Sequence, residues 1–127
     1  MVFAKYGVYR AEFPAQSVTK REGKRSIPVT GGEMCGPHRC VVVAVDPDNQ
    51  FAVVCPMTSA QDTRGGEKWQ VPKKTWVRVI HLGKPAYILT EQIRYADATR
   101  FYGAEDTLGQ HDRDQLDLKL KVFLGLV

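Results

Sequence analysis

The chain has 127 residues, a formal net charge of +4 and a sequence pI near 9.1. This length suits one domain with a sizeable core, and the basic balance permits a polyanionic partner such as nucleic acid. No run of about 18 apolar residues exists to cross a bilayer, and residues 1–6 lack a basic segment followed by an apolar signal core. We therefore expect a cytoplasmic protein.

The first half of the chain predicts a strand, a loop and a hairpin. Residues 8–13 alternate apolar and polar side chains and predict a half-buried strand that ends at a proline. Residues 15–32 are polar and predict a long mobile loop. Two β-branched runs follow at 40–45 and 51–55, joined by turn formers at 46–50, and they predict a hairpin.

The long loop is basic. Its charged residues are Lys20, Arg21, Lys24 and Arg25. Charge runs are usually solvated surface, and in one interpretation the loop keeps a neighbouring sheet edge soluble. Its position before Arg39 favours the other interpretation, in which the loop contacts phosphate.

The second half predicts further short strands and a helix. The polar residues 59–68 include two glycines and predict a flexible loop. Strands are predicted at 69–71, 75–80 and 85–89, with a turn at 82–84. The segment from Asp112 fits both strand and helix periodicity, but its acidic start, later lysines and helix formers favour a helix. This mainly-β pattern predicts a compact barrel with a C-terminal helix.

The three cysteines, Cys35, Cys40 and Cys55, indicate free thiols. Their odd number and spacing do not suit a disulfide scaffold and fit a reducing compartment. Cys35, His38 and Cys40 place soft ligands close together, but this spacing matches no familiar structural zinc site. We therefore expect no metal and no cofactor.

Polar residues stand at the ends of both predicted core strands. Arg39 precedes the apolar run 41–45 and follows a turn-forming segment, a position in which a permanently charged guanidinium suits a phosphate. Thr58 and Ser59 follow the run 51–55 with two hydroxyls. Together they suggest RNA cleavage.

Several separated segments resemble one protein family in their order along the chain. They are Tyr6-Gly7-Val8-Tyr9, Arg39 before Val41-Val42-Val43, Val54-Cys55-Pro56-Met57-Thr58-Ser59, Ile88-Leu89-Thr90-Glu91-Gln92-Ile93-Arg94 and Leu124-Gly125-Leu126. Over nearly the whole chain this order resembles the MazF/PemK family of toxin endoribonucleases. The resemblance implies an SH3-like barrel with a C-terminal helix, usually a homodimer, that cuts single-stranded RNA and is held silent by a cognate antitoxin.

The chain also departs from the family pattern. Arg39 takes the position of the family's arginine, while Cys40 replaces the usual proline, which affects loop rigidity more than catalysis. The family's threonine or serine after the second core strand maps onto Thr58, and Glu91 stands at an acidic position. The loop before the glycine-rich turn is longer than usual and its lead-in is reduced to residues 33–35, which leaves the RNA sequence preference open.

Metal-free RNA cleavage uses the neighbouring 2′-hydroxyl as nucleophile and needs a base, a cation at the phosphate and an acid. In this scheme Arg39 stabilises charge, Thr58 orients a phosphate oxygen, and Glu91 or His38 is the base. Each candidate also has a structural alternative. Arg39 could form a surface ion pair, and Glu91 could pair with Arg94. Thr58 could close a turn with its hydroxyl, and His38 could be an ordinary loop histidine.

Single-stranded RNA is recognised by aromatic side chains under splayed bases and by basic residues along the backbone. The candidate RNA-binding residues are Lys20, Arg21, Lys24, Arg25, His38, Ser59, Arg64, Lys68 and Arg94. The candidate stacking residues are Trp69, Trp76, Tyr95 and Tyr102, of which Trp76 is more typical of a core strand.

Two rival functions belong to other classes. A non-catalytic toxin of the same barrel type, such as a gyrase poison resembling CcdB, relies on a Trp-Gly-Ile-like tail, which residues 124–127 do not supply. An inert SH3-like binding module would have kept the barrel and lost the chemistry. RNA cleavage by the purified protein separates both from a ribonuclease.

Overall fold

The computed structural model describes residues 2–14, 17–23, 25–30, 34–62, 64–68 and 72–126, and for 17–22 and 25–30 it describes only the backbone. The strands are β1 (Gly7–Phe13), β2 (Ser17–Glu22), β3 (Arg25–Thr30), β4 (Gly36–Val45), β5 (Phe51–Ser59), β6 (Trp76–His81), β7 (Lys84–Leu89), β8 (Arg94–Asp97) and β9 (Phe101–Thr107). The helix α1 is Gln110–Phe123, and short 3-10 turns lie at Thr90–Gln92 and Ala98–Arg100. No helix in this part of the chain is long and apolar enough to cross a membrane.

One antiparallel sheet holds seven strands in the order β6-β7-β5-β4-β1-β9, with β8 beside the first half of β5. β5 joins the two parts of this sheet, because residues 52–56 pair with β4 and residues 57–59 pair with β7. Among the described strands no pairing connects β6 to β9, so the sheet is not closed. The predicted mainly-β fold with a C-terminal helix is confirmed.

The core lies on both faces of the sheet, because successive residues of a strand point to opposite faces. Tyr9 and Val42 belong to the cluster on one face. Val41 and Ile88 belong to the cluster on the other, and α1 covers that face through Leu116, which is fully buried. Burial on both faces explains why β4 and β5 read as continuous apolar runs.

Most of the predicted elements are confirmed. The first strand is β1, the predicted hairpin is β4 and β5, the strands predicted at 75–80 and 85–89 are β6 and β7, and the C-terminal helix is α1. Leu82 and Gly83 join β6 to β7 with φ angles of 50° and 77°, the left-handed pair of a type I′ turn. The strand predicted at 69–71 lies outside the described residues.

The prediction of a mobile loop at residues 15–32 is wrong in its secondary structure. Its described residues form the antiparallel hairpin of β2 and β3, which is separate from the main sheet. A ribbon apart from the main sheet does not need the apolar face by which a strand is recognised in a sequence. Lys20, Arg21 and Arg25 belong to this hairpin, and Lys24 lies outside the described residues.

Candidate active site

A cleft of about 540 Å³ opens where β4 and β5 part. The pairing of these strands ends at Cys40 and Pro56; beyond it β4 stays beside β1 and β5 stays beside β7. The two strands therefore diverge, and their polar ends border the same gap. The polar and aromatic residues that line it are Arg10, His38, Arg39, Thr58, Ser59, His81, Lys84 and Tyr102.

Arg39 lies on the β4 side of the cleft with its side chain 44% exposed. Its Nε donates a hydrogen bond to Glu105 Oε1 at 2.7 Å. Arg10 is its partner in the β1–β4 ladder, and the Arg10 Nε lies 3.7 Å from the same oxygen. Within the described residues the two Nη nitrogens of Arg39 make no hydrogen bond. They are therefore available to an anion.

The two hydroxyls predicted at the end of β5 differ in their surroundings. The Ser59 Oγ accepts from the backbone N–H of Gln61 at 3.2 Å and donates to its carbonyl at 3.3 Å, so this hydroxyl closes a local turn. Thr58 is half-buried and its hydroxyl makes no hydrogen bond to any residue that the structure describes. Thr58 is thus the hydroxyl that can contact a ligand in the cleft.

Two residues at this site were missed from the sequence: His81, which lines the cleft, and Glu105, which pairs with two arginines of the lining. His81 is the last residue of β6 and is 8% exposed, with its Nε2 3.6 Å from Glu105 Oε2. Glu105 lies on β9 with its side chain only 14% exposed, so one carboxylate faces Arg10, Arg39 and His81. The turn predicted at 82–84 places His81 at a strand end, but β9 itself was not predicted.

His38 lines the same cleft from β4. Its Nε2–H donates to the Cys35 carbonyl at 2.9 Å, and its ring centroid lies 6.4 Å from that of Phe13. The ring is therefore held by the chain segment that leads into β4. This contact occupies one ring nitrogen and leaves the other without a hydrogen bond to the described residues.

Glu91 lies away from the cleft, beyond the opposite end of β7. Its carboxylate accepts from the Trp76 indole N–H at 2.7 Å and the Thr75 hydroxyl at 2.9 Å, and Lys73 Nζ is 3.9 Å away. The side chain of Glu91 is 18% exposed. These contacts tie the 3-10 turn at Thr90–Gln92 to the start of β6.

The next residues of the same block hold the segment before β4. Gln92 Oε1 accepts from the Met34 N–H at 3.3 Å, and Arg94 Nη1 donates to the Met34 carbonyl at 2.6 Å. The Arg94 guanidinium also lies 4.6 Å from the centre of the Phe13 ring, within the range of a cation–π contact. Arg94 is outside the cleft lining, and its hydrogen bond to Met34 holds the segment that leads into β4 and Arg39.

The other predicted RNA contacts are scattered. Arg64 and Lys68 are exposed on the turn after β5, outside the cleft lining. Trp76 packs on Tyr87 with centroids 5.3 Å apart, as a core strand residue does. Tyr102 lines the cleft and is 54% exposed. The remaining stacking candidates are Tyr95, which packs 5.0 Å from Phe51, and Trp69, which lies outside the described residues.

The cleft has a net positive lining. Among the described residues the lining includes Arg10, Arg39 and Lys84 and no acidic side chain, while Glu105 pairs with both arginines from outside the lining. Guanidinium groups that keep free N–H donors bind phosphate oxygens well. Within the described residues, no group of three or more histidine, cysteine or acidic side chains is arranged to hold a metal ion. The geometry therefore suits an anionic phosphate held by side chains.

Residues 9–124 match the PemK-like, MazF-like toxins of type II toxin-antitoxin systems. The chain belongs to this family. As a PemK-like, MazF-like protein it is a toxin, and its family implies an antitoxin protein as partner. The family consists generally of RNA-cleaving toxins. A comparison with curated proteins finds no match.

Proposed function

We propose that this toxin cleaves single-stranded RNA in the cleft between β4 and β5, at preferred sequences and without a metal ion. The observation that carries the proposal is the meeting of Arg39 and Thr58 across that cleft, each with donors that no described residue occupies. We further propose that it acts in the cytoplasm as a homodimer and is neutralised by its antitoxin. The family match supports these roles.

The proposed chemistry is attack of a 2′-hydroxyl on the adjacent phosphate. The Arg39 Nη groups hold the equatorial oxygens of the crowded phosphorane, where charge accumulates as the bond to the leaving 5′-oxygen breaks. The Thr58 hydroxyl donates to one of these oxygens. Arg39 remains charged throughout, because guanidinium groups keep their protons in proteins. Its role is electrostatic.

We propose that RNA reaches the cleft along basic side chains. Arg10 and Lys84 lie within it, and Tyr102 offers an exposed ring on which a base can stack. The basic residues of the β2–β3 hairpin and the turn after β5 remain candidates for backbone contacts on either side. Ser59 and His38 at the rim are candidates for contacts with the nucleotide itself.

Product chemistry tests this function. Purified protein is incubated with mixed-sequence RNA in EDTA, and the new ends are examined. We expect 2′,3′-cyclic phosphate and 5′-hydroxyl ends, and no cleavage at a position that carries a single 2′-deoxy substitution. Intact RNA would overturn the ribonuclease function and leave a protein-binding toxin or an inert module. Ends that carry a 5′-phosphate would overturn the 2′-hydroxyl mechanism.

A further inference from the structure

His81 is a polar residue placed where burial is costly. The side chain is 7% exposed, and its Nε2 has no hydrogen-bond partner within the described residues. A buried polar nitrogen without a partner lowers stability and calls for an explanation. The residue also lines the cleft that holds Arg39 and Thr58. A role in the chemistry of the cleft would account for an imidazole kept here, with Nε2 beside Glu105 and Nδ1 as the nitrogen left to react.

The imidazole is presented by a tight and constrained turn. His81 pairs with Lys84 across the two-residue connection of β6 and β7, in which Leu82 adopts a left-handed φ of 50°. A leucine in that region is strained, and such strain concentrates at functional sites. The turn fixes His81 and Lys84 on the β7 side of the cleft.

Glu105 links the imidazole to the phosphate-binding arginine. Its Oε1 accepts from Arg39 Nε at 2.7 Å, while Oε2 lies 3.6 Å from His81 Nε2. One carboxylate therefore binds the guanidinium by a hydrogen bond and lies within ion-pair distance of the imidazole. A carboxylate beside one ring nitrogen favours the tautomer that has its proton there, which leaves the lone pair on the other nitrogen.

We propose that His81 is the general base of the RNA cleavage proposed above, with Glu105 as its positioning residue; this inference rests on that function. Neutral His81 takes the proton of the 2′-hydroxyl as the O2′–P bond forms and the P–O5′ bond breaks. The leaving 5′-oxygen takes a proton from water, and the imidazolium later returns its proton to the solvent. Glu105 stabilises the imidazolium in between, as carboxylates do in other histidine-based sites.

The other candidate bases are less suitable. Glu105 itself is paired with two arginines and is not among the residues that line the cleft. Glu91 lies outside the cleft and is occupied by Trp76 and Thr75. His38 remains as a competitor, since it lines the cleft with one ring nitrogen bonded to the Cys35 carbonyl.

The test compares single-turnover cleavage of RNA in EDTA by His81→Gln and by the matched control His111→Gln, whose histidine is exposed on α1. Loss of a general base lowers the rate about 100- to 10,000-fold. We expect that loss in His81→Gln, wild-type cleavage in the control, and unchanged affinity of His81→Gln for an uncleavable 2′-deoxy analogue. Glu105→Gln should lower kcat with little effect on KM.

A second variant separates proton transfer from a structural role. In His81→Ala, added imidazole should restore cleavage, which it cannot do if His81 only supports the fold. Wild-type rates in His81→Gln, or a loss confined to His38→Gln, would overturn the inference while the ribonuclease function stands. Failure of imidazole to restore a folded His81→Ala would also count against it. If the wild type leaves RNA intact, the proposed function fails instead.

Discussion

Arg39 on β4 and Glu105 on β9 are joined by an ion pair of 2.7 Å that spans the intervening strand β1. With the Arg39 side chain 44% exposed, the pair is screened by solvent and contributes little to stability. Its effect is to fix the orientation of the guanidinium through Nε, while the two Nη nitrogens make no hydrogen bond to the described residues. A guanidinium that is already held in one orientation needs no reorganisation when negative charge develops on a phosphate.

A Glu91→Ala variant distinguishes a structural role of this carboxylate from a catalytic one. Replacing Glu91 by alanine removes the carboxylate that accepts from the Trp76 indole N–H and the Thr75 hydroxyl, and the loss of a buried donor's acceptor costs about 1–3 kcal/mol. We expect Glu91→Ala to lower the free energy of unfolding by about that much, measured by urea denaturation. RNA cleavage per folded molecule should persist.

The matched control is Glu67→Ala, which removes an exposed ion pair with Arg78 and should lower stability by less than about 1 kcal/mol. A Glu91→Ala protein of wild-type stability that no longer cleaves RNA would restore the catalytic role expected for Glu91 from the sequence.

Alkaline pH should destabilise the fold through two core thiols. Burial raises the pKa of Cys40 to about 12, with a smaller contribution from the nearby Cys55. Burial also raises the pKa of Cys55 to about 12, with a smaller contribution from Glu91. The folded state therefore holds these protons more tightly than the unfolded state, whose thiols titrate near 9.0. The associated stability is complete below pH 9.0 and is lost as pH rises towards about 12.

The same burial controls thiol reactivity. At neutral pH a thiol reagent should modify the exposed Cys35 in the native protein and reach Cys40 and Cys55 only after unfolding. Urea denaturation at increasing pH measures the stability change, and a Cys40→Ala/Cys55→Ala variant should show a shallower decline. Equal reactivity of all three thiols in the folded protein would contradict the burial of the core pair.

Leu82 should be replaceable with a gain in stability. It is 58% exposed and holds a φ of 50°, a conformation that costs a leucine about 1–2 kcal/mol. Asparagine is favoured at the first position of a type I′ turn. We expect Leu82→Asn to raise the free energy of unfolding by about 1 kcal/mol.

The control for that gain is Leu118→Asn on α1, where leucine is 53% exposed in an ordinary helix. This change should lower stability slightly, because asparagine is the poorer helix former. A Leu82→Asn protein that is no more stable than the wild type would show that the turn stores no strain.

Local sequence patterns predicted the centre of the fold. β4 and β5 are β-branched runs bounded by turn formers. Arg39 and Thr58 lie on the two strands of this one hairpin. Their shared cleft therefore follows from local structure. β8 has only four residues, and β9 contains a glycine and ends in three polar residues. β2 and β3 form a ribbon apart from the main sheet, so periodicity revealed none of these four strands.

The rest of the site depends on long-range packing. Glu105 meets Arg39 only because β1 lies between β9 and β4, and His81 joins them only because β7 pairs with the end of β5. No local pattern encodes those neighbours. Glu91 was given a catalytic role from its place in the family pattern, and only the positions of Thr75 and Trp76 reveal a structural use of its carboxylate.

Cleavage of a mixed-sequence RNA in EDTA by Arg39→Ala, beside the wild type and Arg78→Ala, tests the central claim most directly. Arg78 is also an exposed strand arginine paired with a glutamate, but it lies outside the cleft lining. Loss of one charge-stabilising donor costs about 100- to 1,000-fold in rate. The account predicts at least that loss in Arg39→Ala and wild-type cleavage in Arg78→Ala. Cleavage by a folded Arg39→Ala protein at the wild-type rate would contradict it.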